Sequence, residues 1–201
     1  SEVDQSGGGI LMSSGSVVSN SLITGNVSLY GGGAYGGTLL RCEVLGNRAV
    51  FDGGGAHGSV AANSSFVGNT ARFGGGMFRG VLSQSTVVRN EALYGSGAFE
   101  CDVRNTIIYH NQDEDLFGGN VVNSCAGDGV VQGVDGCITN SPMLVDVAAG
   151  DLYLQHESPC INAGSNGDVP MTGGVPVADL AGRPRIMHAT VDMGAHEYDG
   201  T

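Results

Sequence analysis

Five asparagines recur along this chain at near-constant intervals. Asn26, Asn47, Asn69, Asn90 and Asn111 are separated by 21, 22, 21 and 21 residues. An apolar residue stands three positions before each one (Ile23, Val44, Phe66, Val87, Ile108). An aromatic stands four positions after the first four (Tyr30, Phe51, Phe73, Tyr94), and in the fifth copy the aromatic, Phe117, is displaced by two. Glycine clusters follow the aromatics at Gly31 to Gly33, Gly53 to Gly55, Gly74 to Gly76 and Gly95-Ser96-Gly97, and Gly7 to Gly9 open the first copy. A period this short, with β-prone runs between Gly and Asn and no helical apolar stripe, predicts one β-solenoid coil per repeat. No coil can bury its inner face alone, so the coils must stack. Strand spacing of about 4.8 Å makes five coils about 24 Å tall. The expected fold is all-β: a right-handed parallel β-helix of about five rungs over residues 1–117, closed by an irregular C-terminal cap over residues 118–201.

Alternation sorts the columns. Val18, Leu39, Ala61, Leu82 and Val103 should face inward, and so should the small column Ser21, Cys42, Ser64, Ser85 and Thr106. These two columns have opposite parity, so a bend is expected between them at Asn20, Arg41, Asn63, Gln84 and Asn105. Asparagine tolerates left-handed backbone and can bond its copy on the next rung, so both Asn columns are read as structural ladders. Ile10, Ala34, Ala56, Met77 and Ala98 should point inward. Their neighbours Leu11, Tyr35, His57, Phe78 and Phe99 should then form an outward ladder. Three occupants suit such a ladder: the C-terminal segment folded back, another molecule, or a glycan. The column Tyr30, Phe51, Phe73 and Tyr94 is expected in the core.

Two resemblances follow from strings rather than from the period. Gly8-Gly9-Ile10 with Ile23-Thr-Gly-Asn26, and the matching pairs around Asn47 and Asn69, resemble repeats of polymorphic outer-membrane proteins, a family of surface adhesins. Ser158-Pro-Cys-Ile-Asn-Ala-Gly164, Asp179-Leu-Ala-Gly-Arg-Pro184 and Val191-Asp-Met-Gly-Ala-His-Glu-Tyr198 are similar to the closing segment of secreted bacterial β-helix proteins of the choice-of-anchor Q type. The resemblances imply a β-helix at an extracellular or cell-surface location, and they say little about activity.

The formal charge is −12, with eight Arg and no Lys. Phosphate binding needs clustered positive charge, so nucleic acid is not an expected partner. No apolar run is long enough to span a membrane. The opening Ser1, in place of an initiator Met and signal peptide, suggests a mature or trimmed product. Five cysteines without metal-type spacing suggest disulfides. Cys125 with Cys137, around a Gly-rich loop, is the expected pair. Cys42 and Cys101 lie three rungs apart, about 14 Å, beyond the roughly 7 Å limit for a bridge. Cys101 could instead reach Cys160, leaving Cys42 a buried thiol. No metal site is expected from the cysteines, although Asp113, Glu114 and Asp115 would suit calcium, the one cofactor considered.

Function is read as a structural or adhesive module. Its expected partners are itself, a surface or matrix molecule, or carbohydrate. Ser1 to Ser6 occupy part of a rung without a polar cap, which suggests an open sheet edge and head-to-tail filaments. The alternative is a polysaccharide lyase or hydrolase, with Arg89, His110, Tyr109 and Arg104, or His57, Arg79 and Glu100, as candidate groups. A non-catalytic glycan-binding module is the third reading. Asn26-Val-Ser28 and Asn63-Ser-Ser65 match the glycosylation sequon.

Overall fold

The computed structural model describes residues 6–172 and 175–200. Most of the chain winds into a parallel β-solenoid of about six turns, one more than the period suggests. The extra turn comes from Leu116–Val122 and Cys125–Ala126, which pair in parallel with Ala98–Arg104 and Ile107–Ile108. This turn is shortened. Phe117 aligns with Phe99 rather than with Tyr94, so it belongs to the outward ladder and not to the Tyr30 column.

Each coil has four sides. The first carries the ladder, on strands Ile10–Leu11, Ala34–Tyr35, Ala56–His57 and Met77–Phe78 and the starts of Ala98–Arg104 and Leu116–Val122. The second stacks Val17–Ser19, Thr38–Leu40, Val60–Ala62 and Val81–Ser83 onto the ends of those two long strands. The third runs from Leu22–Thr24 through Glu43–Leu45, Ser65–Val67, Thr86–Val88 and Ile107–Ile108 to Cys125–Ala126. The fourth pairs Val27–Tyr30 with Arg48–Asp52 and continues through bridges at Thr70, Phe73, Glu91 and Tyr94.

Every side ends in a left-handed residue. The column after the second side holds Asn20, Arg41, Asn63, Gln84, Asn105 and Asn123, at φ between 42° and 53°. The column after the third holds Gly25, Gly46 and Gly68, then Arg89 and His110 at φ 58° and 60°. Positive φ turns the chain sharply between short strands, and only Gly adopts it without steric cost. The glycine clusters answer a second need. A Cβ on Gly54 would lie 2.5 Å from the carbonyl oxygens of both Gly75 and Thr70, so coils can stack here only without side chains.

The interior is a thin column of Leu39, Val44, Ala61, Phe66, Met77, Leu82, Val87 and Ile108, all 0% exposed. Two polar ladders line it. Asn26, Asn47, Asn69, Asn90 and Asn111 each donate backbone N–H to the next Asn Oδ1, or in the last case to Asp115 Oδ1, at 2.9–3.1 Å. The side-chain Nδ2 groups donate to the same acceptors. In the small column, Cys42 N donates to Ser64 Oγ, Ser64 N to Ser85 Oγ, Ser85 N to Thr106 Oγ1 and Thr106 N to Ser124 Oγ. Each bond joins adjacent coils and satisfies a buried donor. The corner column behaves differently from the expected ladder: Asn63 is buried with neither amide atom bonded. That column supplies left-handed backbone, and where the closing segment arrives its side chains bond to that segment instead.

Residues beyond Ala126 are mostly irregular, with two antiparallel pairs, Leu144–Asp146 with Asp151–Leu154 and Met171–Thr172 with Val175–Pro176. They pack on the third side and its corner. Val88, Ile107 and Cys125 join Leu144, Leu152, Leu154, Cys160 and Met193 in one apolar cluster. Asn105 Nδ2 donates to Ser165 O at 2.9 Å, Asn105 Oδ1 accepts from Ser165 N at 2.7 Å, and Ala195 N donates to Thr86 Oγ1 at 2.9 Å.

Candidate functional site

The outward ladder forms as the alternation requires, with one addition. Leu11, Tyr35, His57, Phe78, Phe99 and Phe117 occupy one register on successive coils. Their rings stack: Tyr35 on His57 at 4.6 Å, His57 on Phe78 at 5.0 Å, Phe78 on Phe99 at 5.2 Å and Phe99 on Phe117 at 4.8 Å between centroids. The coil repeat sets this spacing, which falls in the favourable range for aromatic pairs.

The second aromatic column does not lie in the core. Phe51 and Tyr94 are exposed, at 38% and 48%, and Tyr30 and Phe73 are half-buried. The fourth side turns these rings outward, where they meet the ladder edge-on: Tyr30 against His57, Phe73 against Phe99 and Tyr94 against Phe117, at 70° to 80° between planes. Glycine crowding explains the placement, since the glycine strip between the two columns leaves no room for rings inside. The result is a two-column aromatic surface along the stack. Arg72 caps Phe73 at 5.3 Å and Arg79 caps Phe78 at 5.1 Å, both in cation–π geometry. Burial lowers the pKa of His57, partly offset by Asp52, so the imidazole in the stack is neutral at pH 7. Burial raises Asp52, which His57, Arg79 and Arg72 partly offset.

Among the described residues, the closing segment meets the second and third sides, the Arg89 corner and, through Asp128 Oδ1, Leu116 N at the end of the first side, while Phe51, Tyr94 and Phe117 remain exposed. The ring faces, however, are already occupied by one another. A sugar laid on the ladder would meet ring edges rather than the faces it stacks on.

Members of the two candidate catalytic sets lie beside one another, but their polar groups are engaged in other contacts. Arg89 and His110 are adjacent left-handed turn residues, but Arg89 donates to the carbonyls of Val147 and Ala148 in the closing segment. Tyr109 Oη donates to Thr139 O at 3.4 Å, and Arg104 pairs with Asp168 at 3.1 Å. In the other set Arg79 and Glu100 form an ion pair at 2.7 Å beside the ladder, while His57 is held between rings with Nδ1 buried and unbonded. The acidic loop is likewise dispersed. Asp115 accepts from Asn111 and Gly127, and Glu114 accepts from Gly95 N. No cluster of three or more potential metal ligands occurs among the described residues.

The expected Cys125–Cys137 disulfide is absent, and all five cysteines are free and buried. Cys125 points outward under the closing segment, with Sγ 3.3 Å from Asn140 O, whereas Cys137 Sγ lies 3.5 Å from Val121 O. Cys101 also does not approach Cys160. Its thiol sits in the solenoid interior, where burial pushes its pKa up to about 12. Of the two sequons, Asn63 is fully buried and Asn26 is engaged in the Asn ladder.

A node that the period could not reveal lies in the closing segment. The strings around Asp179 and Asp192 converge on Arg185, which is 1% exposed. Arg185 Nη2 donates to Asp192 O at 3.0 Å and to Gly194 O at 2.5 Å, and Nε lies 3.4 Å from Glu197 Oε1. Asp192 accepts from Asn162 N and Tyr198 N, and Asp179 from Arg183 N and Glu197 N. Burial pushes Glu197 up to about 7 against the pull of Arg185, and pushes His196 down to about 4. The only signal for this node in the sequence was the set of three closing strings.

In comparisons with known proteins, no family profile, no curated protein and no solved structure matches the chain, so the resemblances to adhesin repeats and anchor-type closing segments gain no support from them.

Proposed function

We propose that the chain is an extracellular or cell-surface β-solenoid module with a structural or adhesive role, presenting its two-column aromatic surface to an elongated surface or matrix partner. The observation that carries this reading is the open aromatic surface itself. Phe51, Tyr94 and Phe117 stay 38–48% exposed, Tyr30, Tyr35, His57, Phe73 and Phe99 are half-buried beside them and Phe78 is buried within the stack, while the closing segment packs mainly on the second and third sides. Exposed apolar surface of this continuity marks interaction sites more often than chance decoration. The acidic charge and the Arg caps at Phe73 and Phe78 favour a protein partner with mixed charge over an anionic polymer.

End-to-end association is the second element of the proposal. Ile10–Leu11, Val17–Ser19 and Leu22–Thr24 are terminal strands of their stacks, and this coil exposes Leu11, Val17, Leu22 and Val27 at 59–63%. Strands that are terminal among the described residues, beside exposed apolar side chains, suit strand addition by another copy. The residues expected to complete the open rung, 1–5, lie outside the described residues.

The test replaces three exposed rings, Phe51→Ser, Tyr94→Ser and Phe117→Ser, which leaves the core intact. Retention on matrix-protein films should fall about tenfold, the loss of roughly 1.4 kcal/mol of contact. Equal retention of both proteins, or release of new reducing ends or unsaturated sugars from polysaccharides, would sink the adhesive reading. Electron microscopy and sedimentation of the same samples report on assembly.

A further inference from the structure

The closing segment touches the solenoid through a thiol pair that loop arithmetic did not single out. On the last coil, alternation sends Ala126 into the solenoid core and Cys125 to the outer face. Cys160 arrives from the closing segment into the same apolar cluster, and both residues are 0% exposed. The neighbouring Cys160 thiol and burial raise the pKa of Cys125. Cys160 is held from three directions. Its N–H donates to Ser158 Oγ at 3.2 Å, its carbonyl accepts Met193 N at 3.1 Å, and Ser158 itself donates to Pro142 O at 2.6 Å. Neither Cys42 nor Cys101 belongs to this cluster; both are in the interior, and Cys137 points toward Val121.

We propose that Cys125 and Cys160 are a disulfide-forming pair that staples the closing segment to the outer face of the last coil. The oxidant is a small-molecule disulfide such as oxidised glutathione. One thiolate attacks it, releasing one glutathione thiolate and leaving a mixed disulfide. The second cysteine then displaces the other glutathione, so two protein thiols become one disulfide while the oxidant is reduced to two thiols. With both sulfurs sealed from solvent in the folded chain, the bond forms before the closing segment docks and resists reductant afterwards. The proposal rests on the burial of both thiols in this one cluster between coil and closing segment, and is independent of the adhesive reading.

The test refolds the full chain in a glutathione redox buffer and in dithiothreitol, followed by peptic digestion at acidic pH and mass mapping. The expected product is a linked pair of peptides carrying Cys125 and Cys160, two hydrogens lighter than the reduced pair, with Cys42, Cys101 and Cys137 alkylatable after denaturation. The oxidised chain should melt about 10 °C above the reduced one, as expected for a closed loop of this length. Cys137→Ser should retain the linkage and the shift, and Cys160→Ser should lose both. A Cys125–Cys137 linkage, or five thiols still alkylatable after oxidative refolding, would overturn the proposal. The wild-type peptide map decides it even where Cys160→Ser fails to fold.

Discussion

At the scale of single residues, the coil depends on side chains that tolerate being repeated at the same place. Asparagine at the head of each fourth side satisfies this, because its amide both donates and accepts along the stack, and its period made the column readable from sequence. His57 is a different case. It was legible as an outward residue, but its packing between Tyr35 and Phe78 depends on ring orientations that no spacing reports. Burial lowers its pKa, so the unfolded chain takes up a proton at higher pH than the folded one. That contribution to stability is present above the unfolded value of about 6.5 and is lost as pH falls through the lowered folded value. His57→Phe removes the proton uptake and the unbonded buried Nδ1. The variant should melt above wild type at pH 5, with a smaller gap at pH 8, in thermal unfolding followed by circular dichroism.

Among the elements, glycine serves two purposes that sequence cannot distinguish. Gly54 is a close-approach glycine with backbone of the next coil where its Cβ would be, whereas Gly68 has φ 64° and open space around it. Gly54→Ala should therefore cost about 3 kcal/mol by forcing adjacent coils apart. Gly68→Ala should cost about 1 kcal/mol, the left-handed backbone penalty alone, in keeping with Arg89 and His110 occupying the same column. Urea unfolding of both variants checks the contrast, and equal losses would remove the distinction. The fifth-to-sixth step shows the limit of pattern reading. The repeat shortens there, so Phe117 looked like a displaced member of one column while parallel pairing puts it in the other. Strand register is set by hydrogen bonds and packing, and an aromatic near the expected position does not report it.

For the whole molecule, the closing segment depends on one buried cation. Arg185 faces Glu197, Asp179 and Asp192, and its own charged form is disfavoured by burial. Arg185→Met would leave those carboxylates without a counter-charge and should destabilise the segment by about 3–5 kcal/mol. Hydrogen exchange should show protection lost first across residues 142–198, while the coil around Phe66 and Leu82 stays protected. Simultaneous loss in both regions would mean that segment and coil unfold as one unit.

The sequence by itself determined the solenoid: its all-β class, inward columns, left-handed corners and outward ladder all follow from periodicity, because every coil must solve the same stacking problem. Tertiary structure alone decided which side the closing segment covers, that the second aromatic column lies outside, and which cysteines meet. Those outcomes depend on contacts between segments that share no period, so packing and burial selected them where local pattern could not.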